Sequence, residues 1–251
     1  MKIKFHYTYI LIAFGFIITG YFSNLIIFTS IILIHEMGHY IVARLNKLYP
    51  EEITIYPFGG ITKINSLINT PIKKELMVAI AGVIFQTIYY LLIIIFHNSY
   101  LIRDYIFDLF TNYHYHILIF NLLPIHPLDG SKILNLLLSK LFPYKITHKI
   151  TIIISLMTLI LLIIINYFSF NYTTILIISI VIDNLIKYYK NINYLFNKFL
   201  LERYLYKFNL YKPKKVNKIT DMYKEKYHII KDNNQYFTEK ELLNRRFKGK
   251  L

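Results

Sequence analysis

Cysteine is absent from the 251 residues, so the chain offers neither disulfides nor thiolate ligands, and any metal must be held by nitrogen and oxygen. Tryptophan is absent too, which leaves 24 Tyr and 19 Phe to form any aromatic belt at a membrane surface. Acidic residues are scarce: 14 Asp and Glu stand against 29 Lys and Arg, a net charge of +15. The excess is uneven. Residues 187–251 hold 17 basic and 6 acidic side chains, and everything before them nets only +4. No small-residue cleavage site follows Lys2 and Lys4, so the first apolar stretch reads as an uncleaved helix. No internal repeat is visible.

What the chain has in quantity is apolar sequence, 55% of its residues. It recurs in runs of about 20 residues, the length that crosses a bilayer as a helix. Six segments read as spans: 7–22, 24–43, 75–96, 113–131, 147–167 and 172–187. The segments between them alternate in charge. Lys2 and Lys4, Arg44 to Lys74, Lys132 to Lys149 and the tail from Lys187 are basic, whereas the intervening loops hold one basic residue, Arg103. Positive loops stay in the cytoplasm. The expected fold class is therefore an all-α polytopic membrane protein of about six transmembrane helices, in the cell membrane with both termini cytoplasmic. Residues 1–190 form the membrane domain and 191–251 a basic cytoplasmic region. The charge follows membrane topology, and no nucleic-acid partner is expected.

Within the second span lies His35-Glu36-Met37-Gly38-His39. Two histidines four apart on a helix project from one face and can grip one metal ion. Glu36 beside them can take a proton from a water activated by that metal. The alternative is a soluble helix with two exposed histidines, but Leu25–Phe28 and Ile31–Ile34 leave no polar face before the motif. Ionisable groups in such a segment are costly and mark function. His39 precedes cytoplasmic Arg44 by five residues, which puts it about 7–8 Å of helix rise inside that end.

A second unusual segment runs from Asn121 to Gly130, where Pro124 and Pro127 break a helix within a span. Such breaks occur where the backbone is buried in protein or lines a wet cavity. Asp129, three residues before cytoplasmic Lys132, is expected at the depth of His39 and completes a two-His, one-Asp site for Zn2+ with an open position. Capping of the following helix is its other role, and the two are compatible. His126 nearby is read as a cavity-lining residue, because a fourth protein ligand would close the position water needs.

These two segments, in this order, resemble the signatures of the site-2 protease family of intramembrane zinc metalloproteases, HExxH on one span and N-x-x-P-x-x-P-L-D-G on a later one. Tyr56-Pro57-Phe58-Gly59-Gly60 and the six spans are similar to the subgroup of that family that works in sporulation. The resemblance covers about residues 1–190. It implies His35, His39 and Asp129 as zinc ligands, Glu36 as general base, and Asn121 as a substrate contact near the scissile bond. It also implies a membrane-associated protein substrate, such as a sporulation sigma-factor precursor, with inhibitory membrane proteins controlling access. Ser131 replaces the family's second glycine after Asp. Val83 and Gln86 replace the proline and asparagine of its third-span pattern, so no role is carried over to Gln86. The roughly 60 residues of tail are too few for the subgroup's usual pair of nucleotide-binding repeats.

The segment Glu51–Ile64 reads as a small β-hairpin at the membrane interface, whose edge and turn (Pro57, Phe58, Gly59) can meet an extended substrate. A plain surface loop is the other reading. His114 and His116 are expected near the outer end of their span, away from the site. Asp183 pairs at the interface, and Lys187, Lys190, Lys198 and Arg203 face anionic lipid or solvent. The tail after Tyr204 is expected as a small helical piece, with Lys212–Lys215 as its linker. Two rival functions use the same residues: a membrane metal transporter, and a metal-bound scaffold without catalysis.

Overall fold

The computed structural model describes residues 2–57, 59–165, 172–208, 211–232 and 235–248. The chain divides into two compact units, Met1–Ser66 with Lys74–Leu122, and Leu67–Lys73 with Leu123–Leu251.

The first unit runs β1 (Lys2–Phe5), α1 (Tyr7–Ile18), α2 (Phe22–Leu45), β2 (Pro50–Tyr56), β3 (Gly59–Ile64), most of α3 (Ile72–Asn98), and α4 (Asp104–Leu122). At 12 residues α1 rises about 18 Å, short of the ~30 Å hydrocarbon core. It stops early because Thr19 closes the last turn and Gly20 takes a left-handed φ of 78°, open to glycine without strain. By contrast α2 runs unbroken for 24 residues and buries Ile27, Ile31 and Ile32, then His35, Glu36, Gly38, His39, Tyr40 and Ala43. Its polar motif therefore faces inward. Gly38 sets the approach of α3, since a Cβ there would lie 2.6 Å from the Ala81 carbonyl oxygen.

The expected hairpin is present as β2 and β3, antiparallel with Tyr56 opposite Gly59, and β1 extends it by pairing parallel to β2. Alternation along β2 turns Ile53 and Ile55 inward, both at 0% exposure, into a cluster with Tyr9, Ile32 and Tyr40. Those two isoleucines anchor the sheet to α2.

The second unit holds α5 (Asp129–Leu141), α6 (Tyr144–Ile165), α7 (Tyr172–Leu205), β4 (Tyr211–Val216), β5 (Lys226–Asp232), β6 (Gln235–Thr238) and α8 (Glu239–Phe247). Sequence periodicity suggests one span over 113–131, but the chain leaves the helix between Leu122 and Asp129. Pro124 and Pro127 cannot donate to a helical ladder, so the chain turns there, with Leu128 N–H donating to the Ile125 carbonyl at 2.8 Å. Among the described residues, α2, α3 and α6 are the helices long and apolar enough to cross a membrane. In α6 Thr147, Thr151 and Ser155 are buried together with Ile152 and Leu159, whereas Ile153, Leu156, Met157, Ile160, Leu161 and Ile164 are exposed. Small polar residues inward and an outward face of large apolar ones suit a helix surrounded by lipid.

The tail departs from expectation. Lys212–Lys215 is not a linker but part of β4, which pairs parallel to β5, and β6 pairs antiparallel to β5. Pro213 is tolerated because β4 is an edge strand and its register shifts between Tyr211 and Lys214. Val216, Ile230, Met222 and Leu243 join Phe196, Phe199 and Leu200 of α7 in one core. Arg203 faces neither lipid nor solvent: its side chain is 1% exposed and pairs with Glu239 at 2.9 Å. The Nη1 of that pair also donates to the Lys226 carbonyl, and Nη2 donates to those of Tyr223 and Lys224. Asp183 does pair with Lys187, at 2.6 Å.

Two titratable groups in this tail core share one pH sign. Burial pushes the Glu239 carboxyl up, but the His228 hydrogen bond and the Arg203 charge outweigh it and hold it below its ordinary value. Burial holds the His228 ring below its ordinary 6.5, against the pull of Glu239. Each group then binds fewer protons folded than unfolded, so its contribution to stability is whole above its ordinary pKa and is lost on acidification. Hydrogen-exchange protection of β5 and α8 should fall as pH drops from 7 toward 4. Glu239→Gln, which strands the buried Arg203 charge, should cost the tail about 3–5 kcal/mol at neutral pH. Protection that rises on acidification would contradict this account.

Candidate metal centre

Helical spacing brings His35 and His39 together on the inner face of α2, with their Nε2 atoms 3.1 Å apart. Each ring is fixed from behind. His35 Nδ1 lies 3.0 Å from Gln86 Oε1, and His39 Nδ1 lies 2.7 Å from the Val78 carbonyl oxygen. The Gln86 amide has its own orientation set, because its Nε2 donates to the His114 carbonyl at 3.0 Å. Both partners of the two rings are thus acceptors, which places the ring protons on Nδ1 and a lone pair on each Nε2.

Zinc–nitrogen bonds of about 2.0–2.1 Å at a tetrahedral angle put two ligand nitrogens about 3.3 Å apart, close to the spacing here. With Glu36, the two histidines place one ligand atom each within 4.8 Å of the others. Gly82 on α3 leaves the space open: a Cβ there would lie 2.4 Å from His39 Nε2 and 2.6 Å from His35 Nε2. The donor set and the cradle both fit zinc. When bound, zinc supplies a Lewis acid that polarises a carbonyl and lowers the pKa of its water toward ~7.

Glu36 is 5% exposed and is held from the sheet. Thr62 Oγ1 lies 2.7 Å from its Oε2, where the hydroxyl donates to the carboxylate. Of the other residues that sequence reasoning selected, Asp129 belongs to the second unit. It is 4% exposed in the first turn of α5, where Lys132 Nζ lies 2.8 Å from its Oδ1. Asn121 is half-buried near the end of α4 in the first unit, and Pro57 and Gly59 flank the β2–β3 turn. Phe58 lies outside the described residues. His126 stacks on the Tyr188 ring at 3.9 Å between centroids. His116 is exposed and bonds the Asn112 carbonyl.

Two residues the sequence reading set aside matter here. Gln86, fully buried at 0% exposure, orients His35. His114, expected away from the site, reaches it indirectly through its backbone carbonyl. The signal for Gln86 was a lone amide in the long apolar run of α3, where an unpartnered polar group is costly.

The comparisons agree with this geometry. The model of peptidase family M50 matches residues 23–115, the stretch containing α2, the hairpin and α3. Stage IV sporulation protein FB of Bacillus subtilis is 32% identical over 207 residues, 81% of this chain and 72% of that protein. The zinc metalloprotease MJ0392 of Methanocaldococcus jannaschii is 29% identical over 161 residues, 60% of this chain and 46% of that one. A solved structure, the site-2 protease from Methanocaldococcus jannaschii, superposes with a TM-score of 0.58 at 24% identity, covering 74% of this chain and 89% of that one. The chain belongs to peptidase family M50, the site-2 proteases. It is a membrane zinc metalloendopeptidase, which sets it with the proteases rather than with metal transporters.

Removing the open space or the ring support should weaken zinc. Gly82→Ala should cut the zinc content of the purified protein severely, whereas Gly15→Ala, with nothing within 4 Å of its added Cβ, should leave it unchanged. Gln86→Leu should lower zinc affinity by about 10–100-fold, the scale of a lost supporting hydrogen bond to a ligand. Full zinc in both Gly82→Ala and Gln86→Leu would refute the assigned tautomers and cradle.

Proposed function

We propose that this enzyme hydrolyses a peptide bond in a membrane-associated protein substrate, with His35, His39 and Asp129 as zinc ligands and Glu36 as general base. The observation that carries the reading is the paired Nε2 atoms of His35 and His39, 3.1 Å apart with both Nδ1 atoms committed to acceptors, and Glu36 beside them. Asp129 is supported by its burial next to a helix break and by the similarity to the sporulation protein, which extends over 81% of the chain. Its ion pair with Lys132 is compatible with ligation, since a carboxylate accepts through both oxygens.

The chemistry assigned to the chain's own groups is simple. Glu36 Oε1 accepts a proton from the attacking water and returns it to the leaving amide nitrogen. Asn121 and the Pro57–Gly59 turn hold the substrate, which must unwind before its carbonyl is accessible, because helical hydrogen bonds cover the scissile bond. Similarity to the Bacillus subtilis protein, with its sporulation name, favours a sporulation sigma-factor precursor as substrate and inhibitory membrane proteins as partners. Six spans, with residues 1–190 as the protease domain and 191–251 as a basic cytoplasmic region, account for the charge alternation of the loops.

Glu36→Gln should keep its zinc and lose about 10²-fold or more of cleavage, the scale of a missing general base. Asp129→Asn should lower zinc occupancy. Near-normal cleavage by metal-loaded Glu36→Gln would defeat the mechanism, and full zinc in Asp129→Asn would remove Asp129 from the ligand set. For the topology, a reporter fused after Lys140 should be cytoplasmic and one near Ser99 external. Finding both on one side would overturn the six-span arrangement.

A further inference from the structure

A general base must present one carboxylate oxygen to the reacting proton and keep it there, yet a glutamate side chain has three rotatable torsions with which to wander. Here the restraint comes from β3. Thr62 Oγ1 lies 2.7 Å from Glu36 Oε2 and 3.2 Å from the Glu36 carbonyl oxygen, so one hydroxyl sits over both the head group and the backbone of this residue. Two residues earlier on the same face of the strand, Gly60 lies flush against the stem. A Cβ at Gly60 would lie 2.3 Å from Glu36 Cγ, 2.7 Å from Cδ and 2.9 Å from Oε1. The strand is not free to drift away, because Thr62 and Gly60 stand opposite Ile53 and Ile55, the two fully buried anchors of the sheet.

We propose that Thr62 is a positioning residue for hydrolysis: its hydroxyl holds Glu36 Oε2, and bare Gly60 lets the strand close on the side chain, so that Oε1 is the oxygen left to handle the proton. The hairpin thus has a second task beyond any contact with substrate, which is to set the direction of the base. The inference rests on the assignment of Glu36 as general base.

Four variants of the full-length, zinc-loaded enzyme in detergent test it, with fluorescein-labelled casein as an unfolded cleavage probe. Thr62→Val keeps the branched shape that suits a strand and removes only the hydroxyl. It should retain zinc, thermal midpoint and KM while kcat falls by about tenfold or more, the scale of a lost hydrogen bond to a charged group. Thr62→Ser should restore kcat to within about threefold of the native enzyme, a rescue that a purely structural role would not require. In the Glu36→Gln background Thr62→Val should cause no further loss, because the residue acts through that carboxylate. Native kcat in Thr62→Val, failure of Thr62→Ser to rescue, or additive losses in the double variant would each overturn the positioning role while leaving Glu36 as the base. Near-native cleavage by Glu36→Gln alone would instead overturn the prior assignment of the base.

Discussion

Two imidazole nitrogens held 3.1 Å apart, with each ring fixed from behind, are the constraint around which much of the first unit is arranged. Gln86 and the Val78 carbonyl accept from the opposite nitrogens and so fix which way each ring faces. Neither ring can turn away, because both are nearly fully buried. A pair of nitrogens held in this way is already oriented for zinc, which favours metal binding. The small residues of the neighbourhood follow from the same constraint. Gly38 admits the α3 backbone, and Gly82 keeps a side chain away from the two nitrogens.

The base is handled by a different part of the molecule. Histidine orientation comes from α3, while Glu36 is gripped by the sheet through Thr62 and Gly60. Metal binding and proton handling are therefore supported separately, on two elements packed against α2. The sheet itself is fixed by two buried isoleucines rather than by its hydrogen bonds alone, since an isolated hairpin is marginal in water. In the second unit, the tail encloses an Arg203–Glu239–His228 cluster that stabilises its own small core.

The metal motif was legible in the sequence because its signal is local: two histidines and a glutamate at helical spacing inside an apolar run admit few other uses. The break between Leu122 and Asp129 was equally legible, in two prolines, although a single span over 113–131 hides the end of one helix and the start of another. Gln86 carries no local signal of its role, because its partners, His35 and the His114 carbonyl, are 51 and 28 residues away. The Thr62–Glu36 contact escaped for the same reason, a strand hydroxyl meeting a helix carboxylate 26 residues distant. The tail misled differently. Lys212-Pro213-Lys214-Lys215 has the composition of a linker, but an edge strand tolerates proline and charge, and the pairing with β5 overrides local preference.

The most direct measurement is the zinc K-edge absorption spectrum of the loaded, full-length protein, in which multiple scattering counts imidazole ligands. Two imidazoles at about 2.0–2.1 Å with oxygen completing a four-coordinate shell is the predicted result. It should be lost in His35→Ala and in His39→Ala, although seven of the nine histidines lie elsewhere in the chain. An oxygen-only shell, or a two-imidazole shell that survives either substitution, would contradict the account.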